Sequence, residues 1–494
     1  PRRGALQRAL GDTLARDGRG PLAAEAYRAA AELATGRDAI ELRRAAAEQL
    51  LRSGRLPEGL AALREVLDAV GLRMPSGSRT TLAALLAARA QIRVRGFDFV
   101  ERPEHEIDPQ LLLEIDTTWA AATGLLQSSV LLGQYFQARH LLLALRGGEP
   151  RRIARALGLE TLYAATSGMP GLAHCDALLE RVRGLCRRID DPRARGIAEL
   201  ATGVADVYRG RFTTAYPRLM EADRILRTSG EVAQWEMAMA RTFATMSLFY
   251  VGDLPAMSEL LATSVRDATE HDDRYGQLML RVSYEPLCLL CEGRVHAAES
   301  VLLELRRAWP AELDTPTYHY VLAMTASRIE RYRGGGARAL TAIEEQWRSI
   351  ERSLMLTKQP LKIFMAHERG SSALHAAFAS RGRERRRALA IARDDADRLL
   401  HERTLWSRAM AGPLIAALHA ADGEVARARA SAIAAERAFV EQALPLFAAA
   451  MQRRRGELDH DRALMDRADA TLAEHGAAAP AAVASLLTAP LVGW

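Results

Sequence analysis

The sequence predicts an all-α superhelix, a tetratricopeptide-like solenoid of antiparallel helix pairs. Three observations predict it. A glycine-punctuated repeat runs along most of the 494 residues. Aromatics are only 5%, too few for a β-sandwich or barrel and in keeping with Ala/Leu helices. Hydrophobic residues reach 49%, which excludes disorder as the main content and allows a long buried core.

In the repeat, one helix ends at a glycine and a second follows. Small or apolar residues then stand five, nine and twelve positions after that glycine. Gly18 is followed by Ala23, Tyr27 and Ala30, and Gly54 by Gly59, Leu63 and Val66. Gly210 precedes Ala215, Leu219 and Ala222; Gly252 precedes Met257, Leu261 and Ser264. Gly293, Gly334 and Gly423 repeat the pattern, and Gly382 is a weaker member with Ile391 nine positions on. From Gly210 the glycines recur about 41 residues apart, with one longer step. The glycine stops the first helix, where a left-handed backbone favours a residue without Cβ. The small fifth residue lets the helices approach, and the next two fill the gap. A lone hairpin cannot bury its stripe; stacked hairpins can.

Residues 1–75 form the first helix pairs, with Leu10-Gly11, Leu14, Ala23, Tyr27 and Ala30 nearest the tetratricopeptide pattern. Residues 76–108 read as an irregular linker with one helix. Ser76-Gly77-Ser78 is expected to cap that helix, and Gly96–Pro103 to be extended. Asp108 should cap the helix that starts at Pro109. Residues 109–476 continue the superhelix, and 477–494 form a closing helix and tail over the last apolar face.

Charge points to no ligand. Lys+Arg is 67 against 61 acids, and only Lys358 and Lys362 are lysine. Runs such as Arg385-Arg386-Arg387 are interleaved with acids, as on solvated helix faces, which argues against nucleic acid as a partner. Four cysteines, Cys175, Cys186, Cys288 and Cys291, are too few for a disulfide framework, and Cys288-x-x-Cys291 lacks the second pair a zinc site needs. A cytoplasmic chain is expected. It carries no apolar run fit to span a membrane and no signal peptide. Its start on Pro1, with a repeat at once, is expected of a segment of a longer protein.

Chemical constellations are missing from the sequence. The two lysines follow Thr357 and Leu361, so no P-loop exists. His367-Glu368 and His401-Glu402 open a zinc-protease motif, but Ser371 and Leu405 stand where the second histidine belongs. No kinase or nucleophile-elbow motif occurs. Gly334-Gly335-Gly336 sits where each unit has its turn. No catalytic residue, cofactor or metal is therefore expected. What remains is the concave face, which in solenoids takes protein or peptide partners. Trp235, Tyr284, Tyr318, His319 and Tyr320 are the candidate lining of that groove. The other tryptophans, Trp119, Trp309, Trp347, Trp406 and Trp494, read as core or interhelix anchors.

Several phrases resemble a known family. They are Gly18–Tyr27, Glu41–Gly54 with its Ala-Glu-Gln-Leu-Leu-Arg-Ser-Gly, Gln137–Pro150 with His-Leu-Leu-Leu-Ala-Leu-Arg, and the ending Leu486–Trp494. These resemble the C-terminal helical region of large bacterial serine/threonine protein kinases that carry a central STAND-type, AAA-like ATPase domain. The resemblance implies that kinase and ATPase domains lie upstream and are partners of this chain. It implies a non-catalytic sensor role. The alternatives are the helical sensor region of an ATP-dependent transcription regulator, or a helical-repeat nucleic-acid binder.

Overall fold

The computed structural model describes residues 2–125, 129–166, 168–229, 233–308 and 316–492. They are 84% helical and contain no strand. The first eight helices are α1 (Arg2–Arg16), α2 (Gly20–Glu32), α3 (Gly36–Arg52), α4 (Leu56–Ala69), α5 (Ser78–Arg95), α6 (Pro109–Leu125), α7 (Val130–Gly147) and α8 (Pro150–Thr166). Next come α9 (Met169–Arg188), α10 (Pro192–Tyr208), α11 (Phe212–Thr228), α12 (Gln234–Val251), α13 (Leu254–Glu270), α14 (Arg274–Cys291), α15 (Val295–Ala308) and α16 (Pro316–Tyr332). The last are α17 (Gly336–Arg352), α18 (Gln359–Ala379), α19 (Gly382–His401), α20 (Leu405–Ala421), α21 (Val425–Glu441), α22 (Pro445–Asp459), α23 (Arg462–Glu474) and α24 (Pro480–Leu487). Apart from α5, which packs on α7, each helix packs on at least one chain neighbour, and from α8 to α20 every even-numbered helix also packs on the next even one. This is an α-α superhelix, and from α8 to α20 the even helices form its inner layer and the odd helices its outer layer.

The repeat rule explains the pairing. Gly18, Gly54, Gly210, Gly252, Gly293, Gly334 and Gly423 all have φ between +73° and +88°. The residues that follow them at the predicted offsets are buried except Gln346, which is only partly so; Ala215, Leu219 and Ala222 of α11 are each at 0% exposure. Gly382 departs from the rule. It is the first residue of α19, and the buried face falls on Ala388, Ala392 and Asp395, one position later than the pattern. The early start turns the whole helix by one residue, which leaves Ile391 only partly buried.

Helix starts follow sequence chemistry with one correction. Asp191, Asp253, Asp273 and Asp461 each accept a hydrogen bond from a first-turn backbone N–H. Asp108 accepts from Gln110 N at 3.0 Å. The cap expected at Ser76–Ser78 is Gly77, which at φ +79° makes no side-chain cap. The Thr81 hydroxyl instead donates to Gly77 O at 2.9 Å. Trp309 and Trp494 lie outside the described residues.

Successive turns of the superhelix touch. Gln234 Nε2 donates to Ala15 O at 3.3 Å across 219 residues. Leu254 N donates to His475 O at 3.4 Å, and Ala478 N donates to Cys291 O at 2.9 Å. One close approach is at Gly210, where an added Cβ would lie 2.6 Å from Trp406, itself fully buried. The chain end enters the bore. Residues 483–491 are buried against α16 and α22, and Arg454 donates to Ser485 Oγ at 2.8 Å. No helix among the described residues is long and apolar enough to cross a membrane.

Two glycine substitutions separate turn strain from packing. Gly423 has φ +81° with nothing within 4 Å of a would-be Cβ. Gly423→Ala should cost about 1–2 kcal/mol, the left-handed penalty alone. Gly210→Ala should cost about 1–3 kcal/mol beyond that, because Trp406 must move. Urea denaturation midpoints measure the difference, and equal losses would contradict the turn-on-turn contact.

Candidate functional site

Six inner helices, α8, α10, α12, α14, α16 and α18, each send a stripe of side chains to the superhelix axis. On α12 the stripe is Trp235, Met239, Met246 and Tyr250; on α16 it is Thr317, Tyr320, Met324 and Arg328. Those spacings keep one helix face. Together the stripes wall a cavity of about 340 Å³, the size of small-molecule sites. Near it two superhelical turns meet: a Cβ on Gly168 would lie 3.0 Å from Gln359 Nε2 at the start of α18.

An aromatic floor adjoins it. Tyr250 stacks on Phe212 at 4.2 Å and on Phe447 at 5.6 Å. Phe364 packs against Trp406 at 5.2 Å. Leu486 and Leu487 of α24 close this end together with His367 and Glu368. The C-terminal segment is therefore a plug.

Among the described residues no acid lines the main cavity, and its two charged members are Arg328 and Lys358. Arg328 is answered by Glu368 at 2.6 Å, and the same carboxylate also holds the fully buried Arg331. The two guanidiniums keep Glu368 below the usual carboxylate range against the opposing effect of burial. Lys358 has no ion-pair partner among the described residues, and burial pushes its pKa down. The Tyr320 hydroxyl donates to Leu361 O at 3.0 Å, and Thr325 donates to Val282 O at 3.1 Å. Tyr208, Tyr250 and Tyr284 also line the cavity, and burial raises the pKa of all three.

A second, polar groove of about 420 Å³ lies near the N-terminus. All its arginines but Arg16 meet a carboxylate within the fold. Arg152 and Arg155 meet Asp116 at 2.7 and 2.6 Å. Arg44 and Arg52 both meet Glu48 at 2.6 Å. Arg193 meets Glu236 at 2.8 Å. Despite their burial, these arginines hold Asp116 and Glu48 below the usual carboxylate range.

Of the five groove residues expected from sequence, Trp235, Tyr284 and Tyr320 line the main cavity together. Tyr318 and His319 do not. Tyr318 packs, part-buried, against the main core, and His319 Nδ1 is hydrogen-bonded with Gln346 Oε1 of the outer helix α17 at 2.6 Å. The helix turns about 100° per residue, so three adjacent aromatic positions cannot share one face. Sequence reasoning missed Lys358 and the methionines Met239, Met246 and Met324. The scarcity of lysine in an arginine-rich chain was the signal for the first.

The motif fragments fall into packing. Cys288 and Cys291 are buried free thiols, and burial pushes Cys288 up to about 12. Gly334 is the α16–α17 turn, with φ +73°. Among the described residues no three His, Cys, Asp or Glu side chains gather as metal ligands. No protein-family model matches the chain, and no curated protein matches it in sequence.

Buried neutral histidines set an acid limit. Burial lowers His140 to about 3 and His367 to about 4, and His375 lies well below its ordinary value. The unfolded chain takes up these protons near pH 6.5 and the folded chain does not. Stability should therefore be full above pH 6.5 and fall as pH drops towards 4. At pH 5 each such histidine removes about 2 kcal/mol. Urea titrations at pH 7 and 5 should show this fall, and His140→Leu should lessen it by about that amount.

Proposed function

We propose that this chain is a non-catalytic sensor and interaction region, the C-terminal regulatory part of a bacterial serine/threonine protein kinase–ATPase signalling protein. The observation that carries the reading is the shared cavity, since one occupant would touch six inner helices at once. Filling it would favour one packing of a whole superhelical turn over another. An occupant can shift the state of linked domains by its differential affinity for those packings.

The kinase–ATPase context rests on the sequence phrases, and the sensor role on the cavity. On this reading the partners are the upstream domains of the same polypeptide, together with a ligand or short peptide segment that enters the bore. The chain works in the cytoplasm, supplies no catalytic group and needs no cofactor. The charge-balanced N-terminal groove favours this over nucleic-acid binding, since each arginine there but Arg16 already has a carboxylate.

Filling the cavity from within tests it. Met246→Trp in the full-length protein should change autophosphorylation about 5-fold or more, with the kinase domain intact and the thermal midpoint little moved. Unchanged autophosphorylation in a folded variant would refute the sensor role.

A further inference from the structure

We infer that the inner cavity is a binding site for an amphipathic monoanion, with its apolar body among the inner aromatics and methionines and its carboxylate on Lys358. This deepens the sensor reading and takes its relevance to signalling from it.

The wall sets the body of the ligand. Trp235, Phe243, Tyr284, Met246 and Met324 present rings and thioethers. Flexible, polarisable methionines adapt to an acyl or aryl shape. The volume of about 340 Å³ admits a small or medium-sized molecule and no folded segment.

The charge sets the head. A buried ammonium without a counter-ion is costly, and an incoming anion removes that cost. Lys358 is half-buried and approaches that position: it lines the cavity and no described acid pairs with it. The chain's other lysine, Lys362, lies one helical turn away and is paired with Glu402 at 2.6 Å. An aromatic cage could instead suit a quaternary ammonium. The charge opposes that, because no acid among the described residues lines the wall and Glu368 already serves two arginines.

Three ten-carbon probes test the assignment: decanoate, decan-1-ol and decylammonium, each below its micelle concentration. Isothermal titration gives affinity, and the fluorescence of Trp235 in the wall reports occupancy. Decanoate should bind one saturable site about tenfold or more tighter than decanol, and decylammonium weakest. Lys358→Met should bring decanoate down to the affinity of decanol. Lys358→Arg should restore the preference, and Lys362→Met should leave it unchanged.

Equal affinity for the three probes, a preference for decylammonium, no saturable binding, or unaltered decanoate binding in a folded Lys358→Met protein would each overturn the assignment. Failure here is separable from failure of the sensor reading. If Met246→Trp alters autophosphorylation while decanoate shows no Lys358-dependent site, only the ligand class falls. If decanoate binding follows Lys358 while Met246→Trp leaves the kinase untouched, the ligand class stands and the sensor role falls.

Discussion

The structure depends on one contact, the seating of a helix-hairpin edge against the next turn of the superhelix. At Gly210 the backbone lies so close to Trp406 that a single added carbon would not fit. Related contacts recur along the seam, at Gly168 with Gln359 and at Gly252 with Pro445 and His475. A solenoid without that seam would be an open spring with a solvent-filled groove. With it, the inner helices gather around a half-open cavity on the concave face.

That arrangement changes what the inner residues do. Trp235, Tyr284 and Tyr320 are at most 9% exposed, so they belong both to the core and to the cavity wall. Packing and recognition then share the same side chains. The plug at 483–491 and the aromatic floor shorten the bore from one end. Two inner environments result. The N-terminal groove is polar and charge-balanced, whereas the central cavity is apolar with one lysine that no described acid answers.

The fold was legible in the sequence because its signals are local. A glycine at the hairpin turn and a small residue five positions on report contacts within one pair. Asp108 could likewise be read as a cap. The seam was not legible, because Gly210 and Trp406 are far apart in the chain and nothing periodic links them. The slip at Gly382 was hidden as well, since a helix that starts early leaves the same residues in the sequence. For the site, the aromatic positions were half readable. Tyr318, His319 and Tyr320 are adjacent, and only the third turns inward, which depends on a helix phase set by packing. Lys358 sits after a short 3₁₀ turn, Leu354–Thr357, whose direction no helical periodicity reports.

The central claim is that the superhelix is closed, turn upon turn. The described surface already fits a superhelix rather than a sphere: 20999 Å² is exposed, against about 18,000 Å² for a globular chain of this mass. The radius of gyration in solution, from small-angle scattering, tests closure most directly. A compact chain of this length has a radius of about 23 Å, and the seamed superhelix should lie within a few ångströms of that. A value larger by about a third or more would mean that the turns stand apart. Neither the seam nor a walled cavity would then exist.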